Sequence, residues 1–255
     1  MDEFLSQAPS NNSWQLYSGS LRRFFLFWFA RRKIKHIPEP SLRRRAARTF
    51  DPYVFSRTEI LKLLDATAAC QSGKGCVISS ETLRTVILVV YGTGIKPTDA
   101  LALSDGDVDF TKGTLQVGRT SAFSGRVIPL GRDVKRLLKG HLDSYERSRF
   151  GRGLPLFLTK KGKSLKRLTI WKTFRRLHRT ANVERSDRPY QPRMYDLRHT
   201  FAVHSIAHWK RKGIELEKIL TLLAAYMGNL DVLGMQRYAA LSPCCYQSQL
   251  RRLKI

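Results

Sequence analysis

The stretch Tyr195-Asp196-Leu197-Arg198-His199-Thr200-Phe201 decides how this 255-residue chain is read. It lies at the start of a helical pattern over residues 194–209, so Tyr195, Arg198 and His199 fall within its first turns. A second stretch, Tyr91-Gly92-Thr93-Gly94-Ile95-Lys96-Pro97, ends an apolar helix that begins near Ser80, because its glycines permit a C-cap. Pro97 and Thr98 then open a short helix through Ala100-Leu101-Ala102-Leu103. A third, Tyr226-Met227-Gly228-Asn229, is followed nine residues later by Tyr238.

Working outward, Ser56-Arg57-Thr58-Glu59 is a capping box ahead of Ile60, Leu61, Leu63 and Leu64 and marks where the main domain begins. Val108 and Phe110, Leu115 and Val117, and Val127 and Ile128 read as short strands separated by Lys112-Gly113 and Ser124-Gly125. Helical patterns return over residues 132–145, 168–180, 194–209, 215–227, 231–238 and 246–253. The fold class is therefore mainly α with a small antiparallel β-sheet. Residues 1–12 are polar and read as a flexible N-terminus. Residues 13–35 carry Trp14, Leu16, Tyr17, Leu21, Phe25, Trp28 and Phe29 at helical spacings, as one or two short helices. Residues 36–52, with three prolines and the cluster Arg43, Arg44, Arg45 and Arg48, form a basic linker to a domain over 53–255.

The composition has 46 Lys+Arg against 20 Asp+Glu, a net charge of +26 that calls for a polyanionic partner. The cations run along the whole length instead of gathering in one tail or one amphipathic helix, which argues against a lipid surface. The most apolar run, residues 24–30, is far shorter than the roughly 20 residues a spanning helix needs, and Asp2 and Glu3 replace a secretory n-region. Cys70, Cys76, Cys244 and Cys245 lack disulfide or zinc-site spacing and read as free thiols in a reducing cytoplasm. His204 and His208 lie four apart, but without a third ligand they imply no metal.

The three stretches in this order, with Val127-Ile128-Pro129-Leu130 and Pro155-Leu156-Phe157 between them, resemble the catalytic domain of the tyrosine recombinases, the phage integrase family. The resemblance covers about residues 52–255 and implies a fold that breaks and rejoins DNA. It makes residues 13–35 a remnant of the family's core-binding domain, and double-stranded DNA the partner, together with other recombinase or transposition proteins. In that chemistry a tyrosine hydroxyl attacks a phosphodiester in line, leaving a 3′-phosphotyrosine and a free 5′-hydroxyl. No metal, nucleotide cofactor or small-molecule substrate takes part. The rate comes from cations and donors aimed at the phosphate oxygens.

Carried over residue by residue, the resemblance finds a depleted set. Lys96 stands at the first arginine position and keeps charge without the planar fork. Ser121 occupies the hairpin-lysine position counted back from Arg126 and Pro129, with Lys112 and Arg119 the nearby substitutes. Tyr195 replaces the first histidine and is a poor proton shuttle at neutral pH. Arg198 is retained. Asn229 replaces the second histidine or tryptophan and donates without exchanging protons. Tyr238 stands at the nucleophile position. As phosphate contacts the resemblance and the charge nominate Lys96, Arg198, Arg119, Arg193 and the linker arginines. Each has a plain alternative: a solvated or ion-paired arginine, a packed aromatic for Tyr238, a structural imidazole for His199. One lost donor of this kind costs about 2.7 to 4 kcal/mol of barrier. The expectation is a DNA-binding protein whose strand cleavage is lost or impaired, ahead of an active divergent recombinase acting through Tyr238 and a basic RNA-binding protein.

Overall fold

The computed structural model describes residues 2–8, 11–39, 52–118, 125–186, 190–228 and 232–242. The chain divides into two units, Met1–Asp51 and Pro52–Ile255. In the first, α1 (Asp2–Ser6) precedes α2 (Asn11–Ala30). Helix therefore begins ahead of residue 13: Asp2 and Glu3 lie in the first turn of α1, where carboxylates oppose the helix dipole, and the Phe4 ring meets Tyr17 of α2. α2 is one continuous helix, uninterrupted by proline, and Phe24, Leu26, Phe27 and Phe29 on it are exposed.

The second unit starts with the capping box. The Ser56 hydroxyl accepts from Glu59 N–H, and the Glu59 carboxylate accepts from Ser56 N–H at the head of α3 (Arg57–Asp65). α4 (Thr67–Cys70) is a single turn, and α5 (Ser80–Thr93) is capped by the Ser79 hydroxyl. α6 (Pro97–Ala102) carries its proline in the first turn, where a missing N–H costs nothing. The strands β1 (Val108–Asp109), β2 (Thr114–Val117) and β3 (Arg126–Pro129) form an antiparallel sheet in sequence order, with Leu115 opposite Ile128 and Val117 opposite Arg126. Helices α7 (Arg132–Asp143), α8 (Tyr145–Ser148), α9 (Arg167–Thr180), α10 (Asp196–Arg211), α11 (Leu216–Met227) and α12 (Val232–Ala240) follow. The mainly helical architecture with a small antiparallel sheet is thus the one expected. The helix read over 246–253 lies outside the described residues.

The core gathers Phe55, Leu63, Ile78, Leu83, Ile87, Leu115, Ile128, Phe157, Phe174 and Leu197, all buried. α10 runs through this core instead of over its surface: Asp196 to Thr200 are consecutively buried. Two contacts fix its start. Phe55 N–H donates to the Thr200 hydroxyl at 3.0 Å, and Asp196 accepts from Arg193 N–H at 2.8 Å. Among the described residues no helix is long and apolar enough to cross a membrane.

Candidate active site

The site grows from two helix ends. α5 stops at Gly94, in the left-handed region at φ 62°, and α11 stops at Gly228, at φ 67°. Both need glycine for space as well as for backbone. A Cβ at Gly94 would lie 2.2 Å from the Phe201 ring, and one at Gly228 would lie 2.6 Å from Nη1 of Arg126. Each end leaves carbonyls without a helical partner.

Arg198, entering from α10, satisfies one carbonyl from each. Its Nη1 donates to Gly94 O at 2.6 Å and its Nη2 to Met227 O at 3.0 Å. The side chain is 1% exposed. Burial pushes its pKa down, while Tyr195 and Tyr238 favour its charge and Arg126 opposes it. Charge-assisted bonds to two helix C-termini offset that burial.

On the next residue, His199 Nδ1 is 2.8 Å from the Tyr238 hydroxyl, which α12 supplies. The Tyr195 ring packs against His199 at a centroid distance of 5.1 Å. Burial, aided by Arg193 and Arg198, lowers the imidazole pKa to about 4; burial likewise raises that of the Tyr238 phenol to about 12, against the pull of Arg198. At neutral pH an uncharged ring faces an uncharged phenol, and in the Nε2–H tautomer Nδ1 is the acceptor.

Of the residues nominated from sequence, Tyr195, Arg198 and Tyr238 come together here. Lys96 does not join them through any bond. Its exposed side chain, at the head of α6, makes no hydrogen bond or ion pair among the described residues, while its carbonyl accepts from Ala100 N–H at 3.0 Å. Arg193 turns to Asp196, with Nη2 3.0 Å from Oδ1. Arg43, Arg44, Arg45, Arg48, Arg119, Ser121 and Asn229 lie outside the described residues. Two residues not nominated stand in the cluster. His199 was read as structural, and its bond to Tyr238 spans 39 positions. Arg126 stands at the start of β3 with no motif of its own in the sequence. A cleft of about 800 Å³ opens beside Tyr195, rimmed by Lys172, Arg175, Arg179 and Arg193 around Trp171 and Tyr190. Among the described residues no group of His, Cys, Asp or Glu is placed to hold a metal ion.

Residues 54–227 match the phage integrase family, more than half of the chain. The y4rB protein of Sinorhizobium fredii, described as an integrase/recombinase, is 25% identical over 98% of this chain and 81% of its own. The tyrosine recombinase XerD of Staphylococcus saprophyticus is 26% identical over 76% of this chain and 61% of its own. The XerH site-specific recombinase, solved in a post-cleavage complex with its palindromic difH substrate, superposes with a TM-score of 0.71 at 19% identity, covering 98% of this chain and 70% of that one. The chain belongs to the phage integrase family, whose members are the site-specific tyrosine recombinases.

Proposed function

We propose that the chain binds duplex DNA over the face around Arg198 and serves recombination, integration or target-site recognition of a mobile element, with strand cleavage lost or strongly reduced. The observation that carries this is the state of the cluster. The retained arginine is spent on two backbone carbonyls, and Tyr238 is 6% exposed and held protonated by its burial. Lys96 and Tyr195 supply neither a second fork nor a neutral-pH proton shuttle. DNA binding tolerates such losses because it sums many phosphate contacts, and the net charge of +26 supplies them. On this reading residues 13–35 are a reduced core-binding domain, the linker arginines follow the phosphate backbone, other recombinase or transposition proteins are partners, and the cytoplasm or nucleoid is the place of action.

A second reading, an active divergent recombinase, draws on the 2.8 Å bond between Tyr238 and His199. There the Tyr238 oxygen bonds to phosphorus as the bond to the 5′ oxygen breaks. The phenolic proton passes to His199 Nδ1, and the leaving oxygen takes a proton from water. A nicked duplex that traps the covalent intermediate separates the two. No adduct with the wild-type chain is expected; an adduct that vanishes in Tyr238→Phe would establish the active reading. Competition between duplex DNA and RNA across a salt series tests the partner, and preference for RNA throughout would overturn it.

A further inference from the structure

Arg126 opens β3 and is held in register opposite Val117. Its guanidinium lies against the backbone of Gly228, so closely that a Cβ there would come within 2.6 Å of Nη1. Its charge reaches Tyr226, whose pKa burial raises against the pull of Arg126, and Arg198, whose charged form it disfavours. Nε and Nη2 are shielded from water and, among the described residues, have no hydrogen-bond partner. Two arginines thus converge, one with donors engaged on carbonyls and one with two donors unengaged.

Unpaired buried donors and neighbouring like charges are each unfavourable, and among the described residues no acceptor meets the two Arg126 donors. One kind of ligand relieves both. Nε and Nη2 form one edge of the guanidinium, the edge that receives two oxygens of a phosphate or carboxylate side by side. An oxyanion there also screens Arg126 from Arg198. Gly228 is the residue that leaves room for the guanidinium to reach this position.

We propose that Arg126 is a phosphate ligand of the site, gripping two oxygens of one phosphate group through Nε and Nη2 beside Arg198. It restores the planar fork that Lys96 lacks and brings it from the β-sheet instead of from the head of α6. The proposal deepens the DNA reading above: the phosphate is that of a duplex backbone, and free inorganic phosphate presents the same chemistry.

Thermal unfolding of the full chain in sodium phosphate, against sodium chloride at matched ionic strength, tests it without DNA. The wild-type chain is expected to gain several degrees specifically in phosphate. Arg126→Gln should lose that gain, Arg126→Lys should recover only part of it, and Arg136→Gln, at an exposed arginine, should keep all of it. Gly228→Ala retains Arg126 but displaces its guanidinium, and should lose the gain. Should the variants fail to fold, the Nε–H signals of the ¹⁵N-arginine-labelled wild-type chain decide. One signal protected from solvent exchange is expected to shift saturably with phosphate and not with chloride. A phosphate gain unchanged in Arg126→Gln, or no saturable shift, overturns the assignment. Duplex binding by fluorescence anisotropy is read in parallel. A chain that binds duplex but shows no phosphate response refutes the role of Arg126 alone; one that shows the response but binds no duplex refutes the DNA reading alone.

Discussion

The Tyr238 hydroxyl stands 2.8 Å from Nδ1 of His199, joining α12 to α10 at the centre of the candidate site. Both groups are buried and uncharged at neutral pH, so the bond is a contact between neutral partners in a low-dielectric setting. A double-mutant cycle measures it. His199→Ala and Tyr238→Phe are each expected to lower unfolding free energy, with a coupling of about 1 kcal/mol by urea denaturation. Additive losses would show that the bond contributes nothing to holding α12.

Acid should loosen the fold through the same imidazole. The His199 pKa falls from the usual 6.5 to about 4 on folding, so between these values the unfolded chain binds more protons. Stability is then complete above pH 6.5 and declines as pH falls towards 4, by at most about 3 kcal/mol from this group. His141, His178 and His204, also lowered by burial, act in the same direction. Urea midpoints measured from pH 7.5 to 4.5 should fall, and fall less in His199→Gln. A flat profile would contradict the buried neutral ring.

Gly94→Ala meets two obstacles, a left-handed backbone and the Phe201 ring 2.2 Å from the new Cβ. Their sum is expected at about 2 to 5 kcal/mol, seen as a clearly lowered Tm in calorimetry. Phe201→Leu in the same chain should recover part of the loss. No recovery would place the cost in the backbone alone.

Arg198→Lys tests the carbonyl clamp. One ammonium lacks the rigid fork that reaches Gly94 O and Met227 O together, so stability should drop by about 2 to 4 kcal/mol while the charge remains. Duplex affinity measured under conditions where the variant is fully folded should fall less than stability does. Unchanged unfolding would refute the clamp.

The helix boundaries were legible in the sequence because local chemistry writes them: the Ser56 and Glu59 capping box, Pro97 in the first turn of α6, glycines 94 and 228 at helix ends. The order of the three motifs was enough for the family. What the motifs could not give was how the residues are engaged. Arg198 reads as a free phosphate contact until the carbonyls of Gly94 and Met227 close on it, and no spacing reveals that both helices end there. Arg126 reads as a hairpin residue, because its burial depends on the missing side chain of Gly228, far along the chain. α2 reads as one or two helices because aromatic periodicity alone sets no boundary inside it.

A single guanidinium ties the ends of α5 and α11 to α10, so it answers to folding before it answers to any substrate. A chain that had ceased to cut DNA would still need an arginine at position 198 to close this three-helix junction. Its presence is therefore weak testimony about catalysis. The Lys96 side chain, exposed and without a bond among the described residues, has no such duty, so the fold does not dictate its identity as it dictates that of Arg198.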